Sequence, residues 1–367
     1  MRGFKGYALV LYRVSRNRSA LGGKGLSWVS NASLGFYTVW AAHLGRRYGI
    51  LRALSLRGNG ATVKELSREL GLFEPALQVW CEAAHSLGLL ARKGARYTLS
   101  SKMRTLFVDE HDADFIGGQF SYLALRSLDF GAFDGFFRGG RAPRSAGRHL
   151  REATEQATRW DHTSFLTFLL KRVPRLRSAL DRGARALDIG CGTGGWVLRM
   201  AAAFPKASFL GVDPDRTAIR SARSNAIAAN LGDRVTFRIG TGESVGVRGS
   251  FDHIHLGEVL YGVSRKVQML KTCRRALREG GQLVIAEGLR RSPSDSVKRA
   301  DRLVAAMGLD FVLQGSRFFT RRELAALLRK SGFDSPRFHS AGGGLWFIVA
   351  TARSRPVKKT PRKAVRR

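Results

Sequence analysis

An α/β architecture with a mostly parallel sheet, entered through a mainly helical segment, is predicted for this 367-residue chain by three observations. Arg185-Ala-Leu-Asp-Ile-Gly-Cys-Gly-Thr-Gly-Gly195 reads as a strand that runs into a glycine loop, with a helix from Trp196 to Phe204 behind it. Phe209-Leu-Gly-Val-Asp213 reads as a second strand, ending in an acid 21 residues after Gly192. Between Thr62 and Leu99 a helix, a turn, a second helix and a short hairpin follow one another.

Length at roughly 150 residues per domain argues for two domains. The expected layout is a basic leader over 1–25, a winged-helix domain over 26–110 and a helical connector over 111–183. The sheet domain then covers 184–352, and a basic disordered tail 353–367. A hydrophobic content of 44% with 25% charged residues excludes global disorder. Collagen-like and disulfide-scaffold classes fall as well, because the 42 glycines show no triplet period and only 3 cysteines are present. An odd number of thiols and no secretory leader suggest a reducing, cytoplasmic setting. Cys81, Cys191 and Cys273 show no metal-ligand spacing, so no metal is expected.

The net charge of +35 draws the chain toward polyanions. The first thirty residues hold six basic side chains and the last sixteen hold eight, with no acid in either stretch. Basic character therefore extends into the body, as a partner-binding property or as a composition bias. Non-specific contact of the tail with nucleic acid or anionic surfaces is the partner reading it supports.

At the N-terminal side, Gly25 to Gly45 carries no Lys, Arg, Asp or Glu over 21 residues, enough to cross a bilayer. Ser27, Ser30, Asn31, Ser33, Thr38 and His43 make it poor hydrocarbon. From Ala32 onward it reads as a buried amphipathic helix through Tyr37, Trp40, Ala41 and Leu44, and no membrane span is expected. Tyr48 to Leu56 continues the apolar period until Gly58-Asn59-Gly60 breaks it. Thr62-Val-Lys-Glu65 has the capping-box spacing, opening a helix with Leu66 and Leu70 inward that Gly71 ends.

Glu74 to Leu87 gives the next helix, with Leu77, Val79, Trp80, Ala83 and Ala84 as its apolar set. Leu89 to Leu99 then reads as two strands about a Lys93-Gly94 turn. Such an order is a winged helix, whose second helix would enter a DNA major groove. That helix displays Glu74, Gln78, Glu82 and His85 and no Lys or Arg, which is wrong for phosphate contact. A dimerisation or substrate-lid role is expected instead. Phe107 to about Leu180 reads as mostly helical, broken at Gly117-Gly118 and Gly139-Gly140, with a linker from Pro143 to Arg148.

The chemistry sits in the glycine loop. Gly190, Gly192 and Gly195 satisfy G-x-G-x-x-G, a pattern also compatible with a dinucleotide. Glycines there let the backbone approach a ligand at a helix N-terminus, and Asp213 is placed for ribose hydroxyls. Asp188 separates the two ligands. A carboxylate two residues before the first glycine is desolvated and needs a cationic or hydrogen-bonding partner. The ammonium of a methionine moiety is such a partner, whereas a pyrophosphate would be repelled. Asp188 with Gly190, Gly192 and Gly194 thus points to S-adenosylmethionine as cofactor. The purely structural alternative, a buried Asp capping its own glycine turn, leaves the spaced second acid unexplained.

From Arg185 to about Thr351 the chain resembles class I S-adenosylmethionine-dependent methyltransferases, which implies a Rossmann-like domain. Val235 to Gly240 resembles the third strand and Phe251 to Gly257 the fourth; Leu277 to Glu287 resembles the turn and fifth strand. Phe319-Thr-Arg-Arg-Glu323 is similar to the start of the helix before the closing hairpin, and Leu345 to Ala350 to its last strand. The resemblance implies cofactor contacts at Asp188, Gly190, Cys191, Gly192, Thr193, Gly194, Asp213, Pro214, Thr241, Gly242 and Gly257. Thr241-Gly242-Glu243 departs from the family, which usually places an adenine-binding Asp there. Cys191 is expected to matter for its small size.

With the winged helix in front, the chain is similar to two-domain small-molecule O-methyltransferases, which implies a homodimer formed by the N-terminal module. Those enzymes deprotonate a hydroxyl with a His just after the fourth strand, and Tyr261 occupies that position. With an ordinary pKa near 10, tyrosine is a poor base at neutral pH. Glu258, at the strand end, is the better-placed candidate. Alternation puts His253 and His255 on one side of the strand, and either reads equally well as a buried, hydrogen-bonded histidine. The catalytic candidates are therefore Tyr261, Glu258 and His255, with Trp160 and His162 lining the substrate cleft by resemblance. Methyl transfer to a small molecule is expected, oxygen favoured and carbon or nitrogen open. An RNA methyltransferase and a non-catalytic DNA-binding regulator that senses the cofactor are the alternatives.

Overall fold

The computed structural model describes residues 22–139, 148–246, 248–291, 299–334 and 336–352. The leader up to 21, the linker from Pro143 and the tail 353–367 lie outside the described residues. The chain divides into two units, 1–128 and 129–367, a boundary inside the stretch read as the connector.

Unit 1 contains α1 (Gly22–Arg47), α2 (Ile50–Ser55), α3 (Val63–Leu70), α4 (Glu74–Ser86), the hairpin β1 (Ala91–Lys93) and β2 (Arg96–Thr98), α5 (Ser101–Phe107) and α6 (Gly117–Ser127). The helix, turn, helix and hairpin order read from the sequence is present. Thr62 Oγ1 accepts the Glu65 N–H at 3.2 Å and Glu65 Oε2 accepts the Thr62 N–H at 2.7 Å, so α3 starts on a reciprocal cap. Gly71, at φ 64°, stops it in the left-handed conformation. Leu51, Leu54, Leu66, Leu77, Cys81 and Tyr97 form the core.

Two helix faces differ from expectation. Tyr37 is 63% exposed, so α1 becomes buried only from Ala41 onward. On α4, Val79 and Ala83 are exposed while Leu77, Cys81 and Ala84 turn inward, because the buried stripe keeps the 3.6-residue period and Val79 falls off it. Arg46 ties α1 to the far end of the unit. Its guanidinium donates to Phe107 O, Gly117 O and Ser121 Oγ at 2.6–3.0 Å and pairs with Glu110. No helix among the described residues is long and apolar enough to cross a membrane.

Unit 2 opens with α7 (Phe133–Phe137) and α8 (Arg148–Ser164), which passes into a π-helical stretch at Phe165–Leu169, then α9 (Leu170–Arg172) and α10 (Pro174–Asp181). β3 (Arg185–Ile189), α11 (Gly195–Ala203), β4 (Ser208–Asp213), α12 (Arg216–Ala228), β5 (Val235–Ile239) and β6 (Phe251–Gly257) follow. α13 (Lys266–Ala276), β7 (Leu277–Gly288), α14 (Arg299–Leu313), α15 (Arg321–Lys330), β8 (Arg337–Gly342) and β9 (Leu345–Thr351) complete it. The seven strands lie in the order β5-β4-β3-β6-β7-β9-β8, parallel except that β9 runs antiparallel to both neighbours.

Strand alternation divides the core between the two faces of the sheet. Ala186, Val284 and Ala286 meet α10, α11 and α12 on one face. Leu187, Ile189, Leu283 and Ile285 meet α13 and α15 on the other. The chain leaves β3 toward β4 on one side and reaches β6 on the other, so the sheet reverses its winding between β3 and β6. A crevice at the C-terminal ends of those strands is where such sheets hold ligands.

Candidate functional site

The glycine loop after β3 is pinned from below. The Gly190 and Cys191 N–H groups donate to Val212 O at 2.7 and 3.2 Å, bonding the loop to β4. Gly190 has φ 76°, and a Cβ there would lie 2.3 Å from Val259 Cγ2, so no larger residue fits. At Gly194, φ is 85° and the Phe237 ring fills the space a Cβ would need. Gly192, at φ 53°, faces open space instead. Two glycines thus serve packing, and the middle one presents bare backbone. Thr193 O accepts from Asn225 Nδ2 at 3.1 Å, and Cys191 is buried, its thiol pushed up by desolvation.

Asp213, ending β4, accepts the Gly192 N–H on Oδ2 at 3.0 Å and the Asp215 N–H on Oδ1 at 2.8 Å. The loop and the second acid therefore share one rim, with Pro214 exposed beside it. Asp215 caps α12 and pairs with Arg151 at 3.1 Å, which brings α8 over this rim. Further along the edge, the Thr241 N–H donates to Ser244 Oγ and a Cβ on Gly242 would strike Met269, so this turn is closely packed. Glu243 is turned toward Arg265, at 3.6 Å.

Asp188 is buried, and its partner is a strand neighbour. The parallel register sets Asp188 beside His255, whose Nδ1 lies 2.9 Å from Asp188 Oδ1. Burial and the nearby Asp213 push the Asp188 carboxyl well above the usual carboxylate range. His255 stacks on Trp196, with centroids 4.3 Å apart and planes at 7°. Desolvation lowers His255 to about 3, and His253 also to about 3 with His255 adding to the effect. His253 Nδ1 lies 3.2 Å from Gln282 O, which accounts for it as a buried strand histidine. His255 sits beneath the loop with Asp188, and Gly257 is kept small by it: a Cβ there would come 2.8 Å from His255 Cε1.

Glu258 holds the left-handed conformation at φ 54°, uncommon for a residue with a side chain, while its N–H donates to Ala286 O. Desolvation pushes its carboxyl up to about 7, against the N–H of Gly288. Asp161 on α8 is raised by desolvation and then by Glu258. Buried Glu287, at the end of β7, is raised by desolvation and then by Glu258, against the backbone N–H groups of Tyr261 and Leu260; its Oε1 accepts the Tyr261 N–H at 3.2 Å. Three carboxyl groups that raise one another in this way cannot all ionise together at neutral pH. The Tyr261 ring lies 4.6 Å from Phe311, packed with Val304 and Phe318.

α8 also supplies the two residues expected in the cleft. His162 Cε1 is 3.0 Å from the position of a Cβ on Gly195, and desolvation, followed by the charges of His255, Arg199 and Arg159, lowers its imidazole to about 3. Trp160 packs at Gly343 of the closing hairpin, 3.4 Å from a Cβ there. Asp161, between them, and Glu287 were missed by the sequence reading. No local pattern marks either residue, since neighbours on other elements give both their surroundings.

The order of strands and the loop at their edge are those that the resemblance to class I methyltransferases implied. Residues 180–308 match the protein family described as a methyltransferase domain. Over 162 residues the chain is 29% identical to a ubiquinone biosynthesis O-methyltransferase of Pseudomonas aeruginosa, covering 41% of this chain and 65% of that one. Over 194 residues it is 28% identical to a ubiquinone/menaquinone biosynthesis C-methyltransferase of Syntrophotalea carbinolica, covering 48% and 80%. The chain spans between 32% and 65% of the length of the first curated relatives it matches. Human N-acetylserotonin methyltransferase, solved in complex with S-adenosylmethionine, superposes with a TM-score of 0.68 at 15% identity, over 92% of this chain and 100% of that one. Residues 180–308 of unit 2 therefore match a methyltransferase domain, and the likeness in fold extends over the helical front unit.

Proposed function

We propose that the protein is an S-adenosylmethionine-dependent methyltransferase acting on a small-molecule acceptor. The observation that carries this reading is the donor set at one sheet edge: buried Asp188, the bare backbone of Gly192 and the acid Asp213. A carboxylate suits an ammonium, a second carboxylate suits a ribose diol, and an open glycine between them lets the ligand lie against the chain. Cys191, Thr193, Gly194 and Pro214 shape the loop side of that cradle, Thr241 and Gly242 the adenine side, and Gly257, ending β6, the methyl side.

The cofactor supplies an electrophilic methyl on a sulfonium, which leaves as a neutral thioether. The protein's part is to hold an acceptor in line with that methyl and to take its proton. Positioning is a large share of such catalysis, because charge diminishes toward products. Glu258 is the base we favour over Tyr261 and His255. A carboxyl near 7 is poised to accept a proton at working pH, whereas His255 is committed to Asp188 and Tyr261 packs against Phe311. Trp160 and His162 line the acceptor side. Oxygen is the favoured acceptor atom; relatives named as O- and C-methyltransferases leave carbon open.

The finer assignments follow the same resemblance. Unit 1 acts as a winged-helix dimerisation module, two copies joining through the exposed Trp28, Leu34, Phe36 and Tyr37 of α1. Three free, buried cysteines suit a cytoplasmic location. The alternative RNA methyltransferase rests on the charge of +35 and the basic tail. The deciding experiment offers labelled S-adenosylmethionine with pooled small-molecule and RNA acceptors and reads products by mass spectrometry. Methylated RNA with no methylated small molecule would overturn the assignment.

A further inference from the structure

We propose that His255 is a positioning residue for the cofactor's amino-acid end, holding Asp188 Oδ1 so that the carboxylate stays ionised and turned toward the ammonium. The inference rests on the methyltransferase reading and goes beyond it to a residue whose type the loop motif does not specify.

The geometry is closed around one arrangement. β3 and β6 pair in the register that places Asp188 beside His255, and the contact is 2.9 Å with both side chains about 4% exposed. The imidazole cannot turn away. Trp196, from the first turn of α11, stacks on one face, and Phe165 meets the ring edge-on at 5.6 Å and 89°. Gly257 leaves room for Cε1 that no larger residue would leave. The helix that begins at the glycine loop thus also clamps the ring that holds Asp188.

The chemistry explains why a histidine suits this place. Asp188 is 3% exposed, and burial favours its neutral acid, which attracts no ammonium. Asp213, from β4, adds repulsion. A donor is needed that does not itself carry charge, because an Arg or Lys would compete for the carboxylate with the ligand's ammonium. Desolvation keeps His255 neutral down to about 3, and in the tautomer protonated at Nδ1, which the 2.9 Å contact to a carboxylate oxygen favours, it donates without competing. The remaining titratable groups around the pair are His253 on the same strand, His162 on α8 with Arg199 and Arg159 behind it, and the un-ionised thiol of Cys191. Both neighbouring histidines are neutral at working pH as well.

The test compares two ligands by calorimetry on the full chain. S-adenosylhomocysteine carries the ammonium, and 5′-methylthioadenosine lacks the whole amino-acid end. His255→Phe keeps an aromatic ring on Trp196 but removes the donor. Its expected effect is a 10- to 100-fold loss of S-adenosylhomocysteine affinity at pH 7, with methylthioadenosine affinity within twofold of wild type. Asp188 without its donor ionises at higher pH, so the deficit should narrow between pH 6.5 and 8.5. His255→Asn restores an N–H near the same place and should recover most of the loss. His255→Leu replaces the Phe variant if thermal denaturation shows that variant unfolded. Unchanged S-adenosylhomocysteine affinity, or an equal and pH-independent loss for both ligands, overturns the proposal. A wild-type chain that binds neither ligand overturns the methyltransferase reading itself, which is a different result.

Discussion

The two units spend their chemistry in opposite directions. Unit 1 keeps a largely apolar core under capped helices, burying only His43 and Arg126 among its described acidic and basic side chains, and leaves Trp28, Phe36, Tyr37 and Phe73 on its outside, each more than half exposed. Unit 2 fills its two core faces with aliphatic and aromatic side chains, yet buries Asp188, His253, His255 and Glu287 at or near the strand ends. An exposed apolar face costs little until a partner covers it, and it marks a surface for association. Buried titratable groups destabilise a fold outright, and they cluster where chemistry needs shifted protonation. The contrast sets an exposed apolar helix face in the first unit against buried titratable groups beside the glycine loop in the second.

The largest effect that would break this contrast is at Asp188. Asp188→Ala should weaken S-adenosylhomocysteine by more than about 100-fold, on the order of 3 kcal/mol for a charged hydrogen-bonded contact. Calorimetry giving wild-type affinity would remove the site from this strand edge.

Next is Glu258. Wild-type kcat/KM should rise with pH through about 7 as the carboxyl ionises, and Glu258→Gln should lower it by roughly 10²- to 10⁴-fold and flatten the profile. The same group gives a stability signature. Its folded pKa, about 7, lies above the unfolded value near 4.5, so its contribution is full below the unfolded value and is lost as pH rises through 7. Glu258→Gln, which has no charge to bury, should therefore gain in Tm over wild type between pH 4.5 and 7.5. A constant difference across that range would exclude the assigned shift.

In unit 1 the expected losses are ordinary packing. Leu54→Ala removes a side chain that is 1% exposed and should cost about 2–5 kcal/mol in chemical denaturation. A loss below about 1 kcal/mol would mean that the front unit is loosely packed. The smallest thermodynamic effect belongs to the exposed face. Phe36→Ser with Tyr37→Ser should change monomer stability by less than about 0.5 kcal/mol, while sedimentation shows a dimer becoming monomer. A variant that stays dimeric would place the association surface elsewhere.

Much of the fold was legible because it is written in short-range signals. Thr62 and Glu65 announce the start of α3, Gly71 its end, and Thr320 with Glu323 repeats the device at α15. The run from Arg185 to Gly195 announces strand, loop and helix in eleven consecutive residues. Side-chain facing was less legible. Val79 and Tyr37 are as apolar as their buried neighbours, and only the turn of the helix against the rest of the unit sends them outward.

Read alone, the sequence announces the capped helices of unit 1, the strands β3 to β7 and β9, the glycine loop and the acids near the ends of β3 and β4, since each depends on residues a few positions apart. Tertiary structure decided which partner each acid meets. Asp188 pairs with a histidine 67 residues away, and the carboxyl groups of Asp161, Glu258 and Glu287 converge from a helix and two strand ends. Strand register and helix docking set those meetings. Both are fixed by burying one face of each element against others distant in the chain, a choice that no local pattern records.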